Sequence, residues 1–197
     1  MSKSRNVLVA GIAGCMLAGS AAANVIWDEA IDGSLSTDRF NTTDMGTLWA
    51  GSNDVLGSTV SGISKFFTIT IGEGDSWTGL IVESWESDDD LGFLGVVTGD
   101  YFSVDPANPD VTQLMGYVHY GELDVGQDIL PTMGMGPGSQ GFTTPVGPGT
   151  YSFWVRQGGA DLSHWDLNFV VESSTVVPGA GGLFALAGMG LARRRRR

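Results

Sequence analysis

The sequence predicts an all-β domain, a jelly-roll-like sandwich of two sheets with about eight or nine strands. Short alternating or aromatic runs recur between Gly, Asp, Asn and Pro, and no long window repeats apolar residues at helical spacing. The chain has 197 residues, 42% of them hydrophobic and 16% charged, which excludes a disordered chain and a multi-pass membrane protein. We assign residues 24–175 to the sandwich, 1–23 to a signal peptide and 176–197 to a C-terminal tail.

The N-terminus has the order of a secretory signal peptide. Basic residues precede an apolar run, which ends in small residues at Ala21-Ala22-Ala23. This order predicts a signal helix that engages the secretion machinery and is cleaved between Ala23 and Asn24. The alternative is lipid attachment at Cys15, because Ile12-Ala13-Gly14 precedes it as in a bacterial lipobox.

Strands are predicted from short segments with period-two alternation. The clearest are 65–71, 80–85, 151–157 and 165–171, and weaker ones lie at 24–27, 47–50, 54–58, 91–97 and 116–120. Alternation places one set of apolar side chains on the inner face, namely Phe67, Ile69, Ile71, Tyr151, Phe153 and Val155. Thr68 and Thr70 then point outward, and Trp154 on the outer face is either covered by a loop or exposed.

One long segment, Gly121 to Gly149, does not have a strand pattern. It is rich in glycine and proline. Connections of this length within a compact domain are functional loops or poorly ordered ones. We expect an ordered surface excursion, held to the core by Ile129, Leu130, Met133 and Phe142.

The C-terminal tail combines a Val-Pro motif, a short apolar segment and an arginine cluster. The motif is Val177-Pro178-Gly179-Ala180, and the cluster consists of Arg193, Arg194, Arg195, Arg196 and Arg197. The apolar residues between them predict a helix that is short for a permanent membrane span, and the arginines fit the positive-inside rule. In this order the tail resembles the sorting signal of PEP-CTERM proteins. The resemblance implies processing by an exosortase and delivery to the cell envelope or extracellular matrix, and a simple tail anchor is the alternative.

A second resemblance concerns the core. The segments 32–36, 66–69 and 149–157 are similar to the jelly-roll domains related to bacterial pre-peptidase C-terminal domains. This likeness implies a secreted, non-catalytic appendage that often binds calcium. Lys65 stands where that pattern commonly has an acid.

The charged residues are distributed unevenly along the chain. All 22 Asp and Glu residues lie between Asp28 and Glu172, where only Arg39, Lys65 and Arg156 are basic. Such an acidic surface repels phosphate backbones, so nucleic acid is excluded as a partner.

Residues for catalysis are few. His119 and His164 lie in different predicted strand or turn contexts, and no HExxH or Gly-x-Ser-x-Gly motif is present. A pair of carboxylates in a cleft, as in glycosidases, is the remaining catalytic alternative. We expect a non-enzymatic protein.

Aspartates in turn-like segments suggest a calcium site. Asp88, Asp89, Asp90, Asp105 and Asp110 offer the hard oxygen ligands that Ca²⁺ prefers, although no EF-hand spacing is present. The alternative is a set of solvated acidic turns.

Aromatic residues suggest a carbohydrate site. Among the six tryptophans, Trp77 lies in a Gly-Asp-Ser context that predicts an exposed turn, with Tyr101 and Trp165 as weaker companions. Burial in the core is the alternative for each tryptophan. The sequence therefore predicts an exported structural or adhesive protein. A secreted module that binds polysaccharide is the second hypothesis, and a carboxylate-based hydrolase is the third.

Overall fold

The domain is a sandwich of two β-sheets, and the computed structural model describes residues 24–87 and 91–174. Its strands are β1 Asn24–Asp28, β2 Thr43–Thr47, β3 Gly51–Thr59, β4 Ser64–Ile71, β5 Asp75–Glu86, β6 Gly92–Thr98, β7 Gly116–Tyr120, β8 Gly149–Gln157 and β9 Ser163–Ser173. Two short helices, α1 Glu29–Asp32 and α2 Leu130–Gly134, and 3₁₀ turns at Val111–Gln113 and Glu122–Asp124 connect them. The predicted signal helix and the C-terminal tail lie outside the described residues.

The strand order is that of a jelly roll. Sheet A has the order β1-β3-β9-β5, and sheet B has the order β2-β4-β8-β6-β7. Successive strands from β3 to β6 alternate between the sheets, and the central pairs are antiparallel. At the free edge of β5, isolated bridges from Val125, Asp128 and Val146 extend sheet A. The predicted fold class is confirmed.

Eight of the nine predicted strand segments lie in strands of the structure, and the prediction at 47–50 is wrong. The strand there is β2, which ends at Thr47. The chain then turns, because Asn53 accepts a hydrogen bond from the Trp49 amide at 3.0 Å and donates to the Trp49 carbonyl at 2.8 Å. Gly51 completes the turn with a φ of +107°.

The core lies between the sheets, where period-two alternation predicted it. All six side chains assigned to the inner face of β4 and β8 are buried. Phe67 and Phe153 stack with ring centroids 4.8 Å apart, and the edge of Phe169 from sheet A packs on both. Aromatic contacts across the sheets therefore hold the sandwich together.

The outer face of sheet B is covered at its centre. Thr68 and Trp154 point outward, yet both are almost fully buried. The segment between β6 and β7 crosses this face and contributes Phe102, Val104 and Leu114 to a second apolar cluster with Phe66 and Trp154. The alternative in which a loop covers Trp154 is confirmed.

The excursion between β7 and β8 is ordered, as predicted. Ile129, Leu130 and Met133 are buried, and Phe142 packs against the core. Gly116 of β7 permits this close approach, because a Cβ atom there would lie 2.5 Å from the Met133 carbonyl oxygen. Within residues 24–87 and 91–174, no helix has the length and apolar character needed to cross a membrane.

Candidate functional site

The prediction that Trp77 is exposed is wrong. Trp77 lies inside β5 with 0% of its surface exposed. Gly72 and Gly74 precede the strand and take up the turn, and Trp77 pairs with Val171 on the inner face of sheet A. There its ring contacts Phe153 and Phe169, and its Nε1 donates to the Gly79 carbonyl at 2.8 Å. Trp77 is therefore a core residue with no face available for a sugar.

Trp165 is likewise buried, which corrects its assignment to a carbohydrate site. It shares the inner face of β9 with Leu167 and Phe169. Across the sheet its indole fills the space that Gly57 leaves, since a Cβ on that glycine would lie 2.4 Å from the ring. Strand alternation explains the burial of Trp165, because Trp165, Leu167 and Phe169 occupy the inner row of β9. Trp77 reaches the inner face through a bulge in β5, where the register shifts between Trp77 and Gly79.

Tyr101, the third predicted residue, is 45% exposed and forms an aromatic pair. Its ring centroid lies 5.9 Å from that of Phe40, which is 62% exposed. Arg39 holds the Phe40 ring in place and ties its loop to the segment that carries Tyr101. Its guanidinium lies 4.0 Å from the Phe40 ring centroid and donates to the carbonyls of Phe102 and Ser103 at 3.1 and 2.7 Å. Two loops distant in sequence thereby present two rings side by side.

A polar cleft of about 260 Å³ opens beside this pair, on the outer face of sheet B. Its lining is made of hydroxyls, an amide and carboxylates around the Phe40 ring: Asn41, Thr42, Asp44, Thr68, Thr70, Asp100 and Thr150. The threonines form two hydroxyl pairs, Thr42 with Thr68 at 3.2 Å and Thr70 with Thr150 at 3.1 Å. The parallel register of β2 and β4 sets Asp44 beside Thr68. We call this site the aromatic-threonine cleft.

The aromatic-threonine cleft combines the two kinds of group that bind a sugar. Exposed rings offer a surface for the apolar face of a pyranose. Hydroxyl and carboxylate oxygens at Thr42, Asp44 and Asp100 are groups able to form hydrogen bonds with sugar hydroxyls. Sequence analysis found only Tyr101 of this set. It missed Phe40 because that residue is the single aromatic side chain of a polar loop. The clue in the sequence was that Phe40 stands between Arg39 and Asn41, two polar residues, in a position typical of an exposed loop.

The predicted calcium residues divide into two groups. Asp88, Asp89 and Asp90 lie outside the described residues. Asp105 and Asp110 are exposed, and their carboxylates close local turns: Asp105 accepts from the amide of Ala107 at 3.1 Å, and Asp110 accepts from the hydroxyl and amide of Thr112 at 2.6 and 3.0 Å. Hydrogen bonds from the Thr112 side chain, the Gln113 side chain and the Thr112 amide lower the pKa of Asp110.

No metal site is found in the described part of the chain. Within residues 24–87 and 91–174, no three His, Asp or Glu side chains are arranged to hold a metal ion. Calcium binding that involves Asp88, Asp89 and Asp90 stays a prediction. Lys65 forms an ion pair with Glu29, with Nζ and Oε1 2.7 Å apart, so it stabilises the junction of α1 with sheet B.

A group of carboxylates lies on the outer face of sheet A, next to a cavity of about 530 Å³. Asp166 of β9 lines this cavity, and Asp54, Glu83 and Asp28 lie near enough to affect its ionisation. Asp54 is only 7% exposed, and in the described residues neither its Oδ1 nor that of Asp166 accepts a hydrogen bond. Asn168 donates to Glu83 at 3.0 Å. We call this group the acidic face.

Burial and mutual repulsion change the ionisation of the acidic face. Loss of hydration on burial, followed by repulsion from Asp54, Glu83 and Asp28, raises the pKa of Asp166 to about 6. Burial and the charge of Glu83 also raise the pKa of Asp54. These are the carboxylates that a glycosidase-like alternative would use. The two histidines do not assist each other, since His119 lies on sheet B and His164 on sheet A.

Comparison with known proteins identifies no relative. No family model, curated protein or solved structure matches this chain. The resemblances to PEP-CTERM proteins and to pre-peptidase C-terminal domains therefore stay predictions, and the function is argued from the geometry of the described residues.

Proposed function

We propose that this chain is an exported, non-enzymatic surface or extracellular-matrix protein whose domain binds polysaccharide at the aromatic-threonine cleft. The observation that carries the proposal is the exposed pair of Phe40 and Tyr101 beside hydroxyl and carboxylate groups. Large exposed aromatic side chains that pack on each other are uncommon on a soluble surface unless they bind something. An adhesive role follows, because a domain that binds polysaccharide attaches the protein to the matrix.

The charge of the domain selects the kind of polysaccharide. Asp44 and Asp100 line the aromatic-threonine cleft, and within the chain from Asp28 to Glu172 the acids number 22 against three bases. An acidic polysaccharide would be repelled over this surface. The carboxylates instead suit the hydroxyl donors of neutral sugars. The proposed ligand is a neutral polysaccharide.

Retention of the domain on a neutral glucan tests the proposal. In native electrophoresis through gels that contain a soluble β-glucan or dextran, we expect the chain to be retarded. Tyr101→Ala and Phe40→Ala should each weaken binding about five- to tenfold, because each removes one stacking ring. Ile31→Ala is the matched control, since Ile31 is an exposed apolar side chain on α1, at the edge of sheet A.

One result of this experiment, and one result of a separate assay for reducing sugar, would contradict the proposal. Equal mobility of all variants with and without glucan would show that the aromatic pair binds no neutral polysaccharide of the type used. Release of reducing sugar that stops in Asp166→Asn would favour the hydrolase alternative at the acidic face.

The export part of the proposal rests on the termini. Secretion through the signal peptide and sorting of the tail by an exosortase-type enzyme would place the domain at the cell envelope, on the outer surface or in the medium, with transient or retained anchoring. We expect native protein from envelope and medium fractions to begin at Asn24 and to end before Gly182, as measured by intact mass and peptide mapping. Native protein that keeps Arg193 to Arg197 would show instead that the tail is an anchor.

A further inference from the structure

A second cleft lies on the outer face of sheet B, away from the aromatic-threonine cleft. β8 connects the two, with Thr150 at the first and Trp154 and Arg156 at the second. The second cleft has a volume of about 300 Å³ and an apolar lining with two basic side chains: Phe93, Pro109, Val111, Leu114, His119, Trp154, Arg156 and Gly158. We call it the Arg156 cleft.

The wall of this cleft consists of aromatic rings that the register of β6, β7 and β8 brings side by side. Phe93 of β6 lies opposite Arg156 of β8 on one side and His119 of β7 on the other. The Phe93 ring centroid is 4.6 Å from that of Trp154 and 5.4 Å from that of His119. Trp154 is fixed in place, because its Nε1 donates to the Ser64 hydroxyl at 2.8 Å. The wall is therefore a rigid apolar surface with a basic group at each side of Phe93.

Arg156 is the basic residue of the domain that is not used to hold the fold together. Lys65 is paired with Glu29, and Arg39 donates to two carbonyls. In the described residues Arg156 forms neither an ion pair nor a hydrogen bond, and its one polar contact is with the Trp154 ring, 5.7 Å from guanidinium carbon to centroid. In a chain with 22 acids, a half-buried guanidinium without a carboxylate is unusual.

We infer that the Arg156 cleft binds a small amphipathic carboxylate, an alkyl or aryl carboxylic acid whose apolar body contacts Phe93 and Val111 while Arg156 holds its carboxylate. A guanidinium offers two parallel N–H donors to one carboxylate. The volume is at the small end for ligand sites, which fits a small molecule and not a helix. An acid with no apolar part would leave the cleft wall unfilled, and an uncharged apolar molecule would leave Arg156 without a partner.

Titration with octanoate and with octanamide, its uncharged counterpart, tests the inference. In ¹⁵N–¹H spectra of the chain, we expect octanoate to shift the indole signal of Trp154. Arg156→Gln should weaken octanoate binding about tenfold or more and leave any weak octanamide binding unchanged. Arg156→Lys should recover part of the loss, because it keeps the charge without the two parallel donors. A higher salt concentration should weaken the binding of octanoate but leave the binding of octanamide unchanged.

Controls separate this inference from polysaccharide binding and from misfolding. Tyr101→Ala should bind octanoate as the unaltered chain does, since Tyr101 pairs with Phe40 of the other cleft and does not line the Arg156 cleft. Arg156→Gln should stay folded and unfold only slightly below the unaltered chain, because in the described residues Arg156 loses its contact with the Trp154 ring but no ion pair or hydrogen bond. The inference is overturned if octanoate leaves the Trp154 signal in place, or if octanoate and octanamide bind equally in the unaltered chain and in Arg156→Gln.

Discussion

Replacement of Trp77 by alanine is expected to destabilise the domain by about 3–5 kcal/mol, the range for loss of a large aromatic side chain from a packed core. Trp77 is fully buried, and four aromatic rings surround it, those of Phe142, Tyr151, Phe153 and Phe169. It joins both sheets, since Phe153 belongs to sheet B and Phe169 to sheet A. Truncation would leave a cavity that these neighbours cannot fill without moving.

Urea unfolding followed by circular dichroism measures this effect. The midpoint for Trp77→Ala should fall sharply, whereas Trp77→Phe should lose less because it keeps a ring. Trp49→Ala is the matched control, because Trp49 is 71% exposed and its hydrogen bonds to Asn53 are made by backbone atoms. A midpoint for Trp77→Ala equal to that of Trp49→Ala would contradict the burial of Trp77.

The strands were predictable because their alternation is local. In β4 and β8, successive side chains point to opposite faces of the sheet, so Phe67 and Phe153 could be assigned to the core without knowledge of their partners. In β5, alternation counted back from Leu80 and Val82 would place Trp77 on the outer face. A bulge between Trp77 and Gly79 shifts the register, so Trp77 pairs with Val171 on the inner face. The glycines before this strand suggest a turn around Trp77, whereas the turn ends at Gly74. The bulge and the strand boundary together therefore reverse the exposure expected for this side chain.

The candidate sites were less predictable because they are assembled across long stretches of chain. Arg39 reaches the carbonyl of Phe102, 63 residues later, and this contact sets Phe40 beside Tyr101. Asp54 and Asp166 meet only because β3 pairs with β9. One sequence shows that each residue exists, whereas sheet order decides which of them are neighbours. Tyr101 could be chosen as a candidate ligand-binding residue because it is aromatic. Its neighbour Phe40 could not be identified, because the sequence does not show that the two are in contact.

The second large effect concerns pH: the domain should be more stable near pH 5 than near pH 7.5. The pKa of Asp166 in the folded protein is raised to about 6 from the 3.8 of an unperturbed aspartate, chiefly by burial. Between these values the folded state keeps a proton that the unfolded state has lost, so stability falls as pH rises through this window. Asp54, whose pKa is also raised, adds to the fall. Hydrogen bonds lower the pKa values of Glu29 and Asp110, so these two groups make the fold less stable as pH falls. Their effect lies below pH 5 and does not change the comparison.

Asp166 is half-buried, so solvent screening reduces its contribution, and we expect a difference of about 1 kcal/mol between the two pH values. Urea unfolding at each pH measures it. Asp166→Asn should raise the stability at pH 7.5 and flatten the profile, because it removes the charge that repels Asp54 and Glu83. Glu172→Gln, an exposed carboxylate on the same strand, should leave the profile unchanged. A rise in stability from pH 5 to pH 7.5 in the unaltered chain would contradict the prediction. It would mean that a group outside the acidic face stabilises ionised Asp166.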